Sequence, residues 1–349
     1  MQVAEATREI ESDEIVRVQS LQMHFPIHKG LLRRKVGVVR AVDDVTFSIR
    51  KGEVLGLVGE SGCGKTTTGR CIVRVLNPTG GEILYRDEEG ETVDLAKLSE
   101  RELFKYRQEI RMVFQDPFSS LNPRLPVAEI VGEVLQIAGW RRSDIRDRVR
   151  YLLEKVGLRP EYVGRFPHAF SGGERQRIGI ARALASSPRL VVADESVSAL
   201  DVSIQAQTIN LLQDLQEEFG LTYLFVAHDL SVVEHISDRV AVMYVGQLVE
   251  IGGKDEIFGN PKHPYTEALL HSVPKPDPKL RRIEGRSKLE GEVADPANPP
   301  TGCYFHPRCP YAQERCRIER PALRDVGNGH HAACHFADEL ELDGIPAVD

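Results

Sequence analysis

Residues Gly59-Glu60-Ser61-Gly62-Cys63-Gly64-Lys65-Thr66 fit the spacing G-x-x-x-x-G-K-S/T. Glycines so placed let consecutive backbone N–H groups turn inward onto phosphate oxygens, and a helix opening at Lys65 offers its positive end to the same anion. The lysine then reaches the β- and γ-phosphates, and the Thr66 hydroxyl is a ligand for Mg²⁺. A second group, RLVVADESVSALD at Arg189–Asp201, ends an apolar run in Asp194 and continues with Glu195. Asp194 at a strand end holds Mg²⁺ through water, and Glu195 is a base for polarising the attacking water. Either acid alone also reads as a helix cap. A third group, Ser171-Gly172-Gly173-Glu174, opens the helical stretch ERQRIGIARALA and makes another N-terminal anion site. A plain Ser N-cap explains the serine and leaves both glycines idle. With one triphosphate cradle already present, the second is expected to serve a nucleotide bound to another molecule.

These groups need strands and helices to hold them. The run Val54–Val58 is short and apolar, as a buried strand requires, and the helix after the Gly-rich turn runs from Lys65 to about Val75. Period-two patterns in IVRVQSL from Ile15 and in VTFSI (Val45, Phe47, Ile49) read as half-buried strands, separated by a basic loop or hairpin, HKGLLRRKVG. NPTGG at Asn77–Gly81 is turn chemistry, and the strand EILY follows. From about Leu98 to Ala185 the pattern is mostly helical, with Ser143 capping DIRDRVRYLLEKVG. RLVVA, TYLFVA, DRVAVMY and QLVEIG return as strands, and a helix of about 18 residues begins near Asp201. The expectation is an α/β sheet core with an inserted helical subdomain. Its divisions are a tail at residues 1–14, a nucleotide-binding domain at 15–252 with helices over about 98–185, and a proline-rich appended domain at 253–349.

The chain has 349 residues, 45 Lys+Arg against 52 Asp+Glu (net charge −7) and 41% hydrophobic residues, an ordinary globular composition with room for two or three domains. Its mild acidity argues against a protein that coats nucleic acid. No stretch approaches the ~18 consecutive apolar residues of a bilayer span. The start, MQVAEATREIESDE, has no apolar core of a secretory signal, so a cytosolic setting without disulfides is expected. Cys63 and Cys71 read as small packing residues. Cys303, Cys309, Cys316 and Cys334, spaced C-x5-C-x6-C-x17-C, suit Zn²⁺ or an iron–sulfur cluster, or remain unligated thiols. Structural zinc favours tight C-x2–4-C knuckles, which are missing, while His306, His330, His331 and His335 keep zinc open.

Together with Gln115 in VFQDP, SALD at Ser198–Asp201 and His228 in VAHDL, these motifs stand in the order of the ABC transporter ATPases, which the chain resembles over about Ile15–Gly252. The basic insertion before Val39, FSSLNP after Gln115 and HPYTEALL at His263–Leu270 resemble the ATPases of oligopeptide/dipeptide importers, most of all their F-type subunit. The resemblance implies an ABC-type P-loop NTPase: a RecA-like sheet core, a helical subdomain and a small cysteine-containing C-terminal domain. It implies ATP contacts at Gly59, Ser61, Gly62, Cys63, Gly64, Lys65, Thr66, Thr67, Gln115 and His228, with Mg²⁺ held through Thr66, Gln115 and Asp194. Glu195 is then the general base, His228 bonds the γ-phosphate, and Gln115 also senses the membrane subunits. Ser171, Gly172, Gly173 and Glu174 complete the partner's site in a head-to-tail dimer, and Asp201 links the two sites.

The same resemblance implies two permease subunits, a second ATPase (a homologous chain or a copy), an indirect extracytoplasmic substrate-binding protein and no nucleic acid. It places the chain on the cytoplasmic face of the membrane, with peptide cargo and a 4Fe–4S cluster in the tail. The alternative is a soluble ABC ATPase acting on DNA or ribosomes. A single motor set, a helical block of transporter size and cysteines outside the motor weigh against it. The basic residues Lys29, Arg33, Arg34 and Lys35, and Arg281, Arg282, Arg286 and Lys288, read as solvated loops or as surfaces facing lipid headgroups or a permease. Two departures stand out. Glu174 replaces the family's usual Gln, adding negative charge where a phosphate should land. Val36 stands where an aromatic usually stacks on adenine, and no Phe, Tyr or Trp occurs between Pro26 and Thr46.

Overall fold

The computed structural model describes residues 10–30, 34–116, 120–198, 200–272 and 291–345. Residues 1–9 of the expected tail, Arg33, Phe118 and Ser119 of FSSLNP, Ala199 and the basic run Arg281, Arg282, Arg286 and Lys288 lie outside the described residues. The chain begins with two long strands, β1 (Glu14–Lys29) and β2 (Arg34–Arg50), neighbours in one sheet. They confirm the hairpin reading, with Lys29, Arg34 and Lys35 exposed at its tip. Next come β3 (Val54–Val58), α1 (Lys65–Ile72), β4 (Gly80–Arg86), β5 (Thr92–Asp94), α2 (Glu100–Glu109) and β6 (Ile110–Val113). Then follow α3 (Val127–Ile137), α4 (Arg142–Lys155), α5 (Gly172–Leu184), β7 (Leu190–Asp194), α6 (Val202–Phe219) and β8 (Thr222–Val226). The last part holds α7 (Leu230–Ile236), β9 (Arg239–Tyr244), β10 (Gln247–Gly253), α8 (Lys254–Gly259), α9 (Pro264–Ser272), α10 (Glu314–Ile318), β11 (Arg324–Asp325) and β12 (His331–Ala332).

Two compact units share the chain. The first comprises Met1–Val16, Ser48–Val54 and Leu84–Val226. In it β6, β7 and β8 pair in parallel, with Val113 opposite Ala193 and Asp194 opposite Val226. Parallel strands are covered on both faces, which is why β7 and β8 are apolar at nearly every position and buried throughout. Helices α3, α4 and α5 pack together through buried stripes that include Val131, Leu152 and Ile178.

Two local expectations are corrected here. The helical block is interrupted by β6, which follows α2 with no intervening turn. Ser143 does not cap α4. The helix starts two residues earlier, at Arg142, Arg141 is its N-cap, and the Ser143 hydroxyl donates to Asp144.

The second unit comprises Arg17–Phe47, Leu55–Ile83 and Ala227–Asp349. Its strands run in the order β3, β9, β10, β12, β11. β3 and β9 are parallel, and β9 turns through Val245-Gly246 into the antiparallel β10. β12 then pairs with β10, Glu250 opposite Ala332 and Ile251 opposite His331. The residues after Gly253 therefore share a unit, and a row of strands, with the Gly59–Thr66 loop.

Glu250 holds this arrangement together from a fully buried position. Its carboxylate accepts the N–H groups of Lys262 (2.6 Å) and His263 (3.0 Å) and faces His330 Nε2 at 2.7 Å. A buried carboxylate is tolerable only when so satisfied. Among the described residues, no helix is long and apolar enough to cross a membrane.

Candidate functional site

In the second unit β3 delivers the chain into the Gly-rich loop. Gly59 has φ 149° and Gly64 φ 106°, and a Cβ at these positions would lie 2.2 Å from Met243 O and 2.1 Å from Ala41 O. Glycine is thus demanded by conformation and by close approach at both ends of the loop. Gly64 is the N-cap of α1 and supplies no side-chain acceptor, so the N–H groups of the first turn are presented to an anion. Lys65 is buried, and its Nζ donates to Gly59 O (2.7 Å) and Glu60 O (3.0 Å). Cys63 and Cys71 are buried and unbridged, as packing residues should be, and burial pushes both thiols up, Cys71 to about 12. Ser61 and Gly62 are exposed, and Thr66 and Thr67 are half-buried beside the loop. His228 belongs to this unit too. It is exposed in the turn before α7, whose N-cap Asp229 accepts from Ser231 N at 2.9 Å.

The acidic pair belongs to the first unit. β7 ends in the fully buried Asp194, and Glu195 follows with φ 44°, a left-handed conformation that costs a non-glycine residue of order 1 kcal/mol. Because β6 and β7 run in parallel and in register, their C-terminal ends emerge together, and Gln115 comes just after β6. Gln115 Nε2 donates to Glu195 Oε2 at 2.7 Å. Within this unit the Asp194 carboxylate and the Gln115 amide oxygen are hard oxygen donors of the kind Mg²⁺ takes.

In the same unit Ser171 caps α5, and Glu174 closes a capping box. Glu174 Oε2 accepts both Ser171 N and Ser171 Oγ at 2.9 Å. The negative charge that Glu174 brings to this helix end is thus directed onto Ser171. The signature glycines are not both idle: a Cβ on Gly173 would lie 2.6 Å from Ile204 Cγ2 of α6. Asp201 caps α6 by accepting Ile204 N at 3.0 Å. Val36 is exposed on β2.

Two contacts on the Gly-rich loop escaped the sequence reading. Tyr265, within HPYTEALL, accepts the Glu60 N–H on its hydroxyl at 2.9 Å. Arg308 grips the Glu60 carboxylate with both guanidinium arms, at 2.7 and 3.2 Å. No local pattern announces either, since the partners are 205 and 248 residues apart in sequence.

Cys303, Cys309, Cys316 and Cys334 line one cavity, walled by Phe305, His335 and other side chains. Burial pushes the Cys309 thiol up to about 12 and Cys334 to about 11, so ligation requires a cation that displaces their protons. No three of the four thiols meet within 4.8 Å. Among the described residues the one cluster of donors that close is Glu267, His271 and Asp343, where Glu267 already accepts Asp343 N at 2.8 Å.

Residues 42–198 match the family described as ABC transporter, and residues 249–316 match the one described as oligopeptide/dipeptide transporter, C-terminal region. The oligopeptide transport ATP-binding protein AppF of Bacillus subtilis is 52% identical over 326 residues, covering 93% of this chain and 98% of that protein. The chain belongs to the ABC transporter ATP-binding family. The ATP-binding protein y4tS of Sinorhizobium fredii is 51% identical to this ABC ATPase over 325 residues, covering 93% of this chain and 90% of that protein. Among solved structures, CbiO1 of Clostridium perfringens, part of the transporter complex CbiONQ, superposes with a TM-score of 0.59 at 27% identity, over 71% of this chain and 91% of its own. The cassette MJ0796, a dimer bound to ADP and Pi after hydrolysis, gives 0.59 at 28% identity, over 69% and 99%. The expected P-loop fold and ATPase class are therefore borne out for this ABC ATPase, and its C-terminal region is of the oligopeptide/dipeptide type.

Proposed function

We propose that this ABC ATPase energises the import of peptides through two membrane-embedded permease subunits, docked on the cytoplasmic face. The observation that carries this reading is the oligopeptide/dipeptide-type C-terminal region continuous with the nucleotide-binding unit, in a chain about half identical, along nearly its whole length, to an oligopeptide transport ATP-binding protein. ATP phosphates bind the N–H groups of Gly59–Thr66 with Lys65 as counter-charge, alongside Thr67. Thr66, Asp194 and Gln115 hold Mg²⁺. Glu195 takes the proton of the attacking water, and His228 bonds the γ-phosphate. Ser171–Glu174 complete the site of a second ATPase subunit, a homologous chain in preference to a copy, and Asp201 connects the two. ATP closes this pair and hydrolysis releases it, a population shift that the permease converts into alternating access. An extracytoplasmic binding protein delivers the cargo.

The four cysteines hold a 4Fe–4S cluster in this proposal. Tetrahedral zinc with bonds of about 2.3 Å draws its thiolates to roughly 3.8 Å apart. Four thiols around one cavity, with no three of them within 4.8 Å, fit a bulkier multi-atom group better. Bound there, the cluster supplies a cross-link among the four chain segments.

The test is gentle detergent extraction from the native host, capture of this chain and mass spectrometry of what accompanies it. Two polytopic permeases and a second ATPase support the proposal. Ribosomal or DNA-repair partners without membrane protein would overturn it in favour of the soluble alternative.

A further inference from the structure

The Arg308–Glu60 pair joins two sites that the family roles leave separate. Glu60 is the second residue of the phosphate loop, and Arg308 immediately precedes Cys309. The Arg308 side chain is only 4% exposed, and its guanidinium lies 5.8 Å from the ring centre of Tyr244 and 5.9 Å from that of Phe305. Bidentate arginine–carboxylate pairs of this kind fix orientation as well as supplying energy.

Glu60 is held at three points. Arg308 takes its carboxylate, Tyr265 accepts its N–H, and Lys65 donates to its carbonyl. The Tyr265 ring packs against Tyr244 (4.7 Å) and Phe305 (5.4 Å), and Phe305 is also a wall of the four-cysteine cavity. One continuous packed path thus runs from the cysteines to the lysine that meets the phosphates.

We infer that Arg308 is a positioning residue for the phosphate loop, and that through it the conformation of the Cys303–Cys309 segment sets the affinity for ATP. This rests on the nucleotide role proposed above for Gly59–Thr66. The carbonyl of Glu60 and the ammonium of Lys65 must part slightly for the lysine to swing onto a phosphate, and the arginine clamp fixes the loop against which that exchange occurs. The clamp acts on ground-state binding, since Arg308 meets Glu60 and not the reacting phosphorus.

The test uses the full chain, with a fluorescent ATP analogue titrated in Mg²⁺ and turnover measured in parallel. Arg308→Ala should weaken analogue binding by about five- to tenfold and raise KM in step, with kcat at saturation held within about twofold. Amide exchange across residues 59–65 should quicken. The exchanged pair Glu60→Arg with Arg308→Glu should recover most of the lost affinity. Cys309→Ser should also weaken binding, and do so far less once Arg308 is already Ala, the non-additivity expected of a relay. If Arg308→Ala does not fold, Arg308→Lys and Glu60→Gln, which keep bulk but break the bidentate geometry, take its place. Unchanged affinity in a folded variant, or a Cys309→Ser effect undiminished by Arg308→Ala, overturns the inference. Absence of analogue binding by the unaltered chain would instead overturn the nucleotide assignment itself.

Discussion

The Tyr265 hydroxyl accepts the backbone N–H of Glu60 at 2.9 Å, so the tyrosine of the C-terminal HPY segment is part of the wall of the phosphate loop. That hydroxyl belongs to an almost wholly buried ring, and burial pushes its ionisation far above the ordinary tyrosine range. It stays a neutral phenol at every physiological pH. The neighbouring His263 serves the same end, its Nδ1 accepting the Tyr265 N–H at 3.0 Å. The C-terminal region is therefore packed into the wall of the Gly-rich loop.

Glu195→Gln should cut turnover by roughly 10²–10⁴ if Glu195 is the general base. It should also leave an ATP-bound dimer that persists in size-exclusion chromatography. The amide can still accept the 2.7 Å hydrogen bond from Gln115, so the loss should be chemical and the melting temperature little changed. Near-normal turnover removes Glu195 from the role.

Lys65→Ala should abolish nucleotide binding, read by calorimetry with MgATP. The ammonium fills space against the Gly59 and Glu60 carbonyls, so a modest fall in melting temperature should accompany it. Undiminished binding would sink the phosphate-cradle assignment.

Ser171→Ala removes the hydroxyl half of the α5 capping box, leaving the backbone N–H bond to Glu174, and should cost about 1 kcal/mol in chemical denaturation. Glu174→Gln keeps a competent N3 acceptor and should change stability by less than about 0.5 kcal/mol. It also frees the Ser171 hydroxyl from a carboxylate, so ATP-driven dimerisation should strengthen. A weaker dimer would show that Glu174 helps rather than hinders the partner's nucleotide.

His263 carries a pH signature. Burial drops its folded-state value from the ordinary 6.5 to about 3, so the native state holds it neutral while the unfolded chain protonates it. Its contribution to stability is complete above pH 6.5. It falls as pH drops, by about tenfold in the folding constant per pH unit, until about pH 3. His263→Asn keeps an acceptor for Tyr265 N–H but has no group that titrates, so the wild-type-minus-variant stability difference should fall steadily as pH drops across that window. A pH-independent difference would show that His263 does not titrate as a buried imidazole.

If the four cysteines hold a cluster, anaerobically purified protein should carry iron and broad visible absorption. Cys309→Ser should lose both. An unchanged spectrum, or stoichiometric zinc without iron, would reverse the assignment.

What was readable in the sequence was what is local. The phosphate loop, the acidic pair and the Ser171 helix cap each occupy a few consecutive residues, and their backbone demands are written in glycines and caps. β6 was hidden because its four residues directly follow α2 with no turn residue between them. Ser143 misled because α4 already begins at Arg142, which puts the serine inside the first turn and not at the cap. The Glu60 clamp was invisible in principle: nothing about an arginine before a cysteine, or a tyrosine after a proline, says which loop it will meet two hundred residues away.

The pairing of β12 with β10 has a consequence for any shortened version of this chain. Leu248, Val249 and Ile251 give β10 an apolar face, and Glu250 adds a carboxylate satisfied only by residues beyond it. Cutting after Gly253 would strip one side of that strand of its ladder and leave its N–H and C=O groups open to a neighbouring molecule. A cassette trimmed to the familiar motor alone would be inclined to stack edge to edge, and its poor solubility would say nothing about the integrity of its phosphate loop.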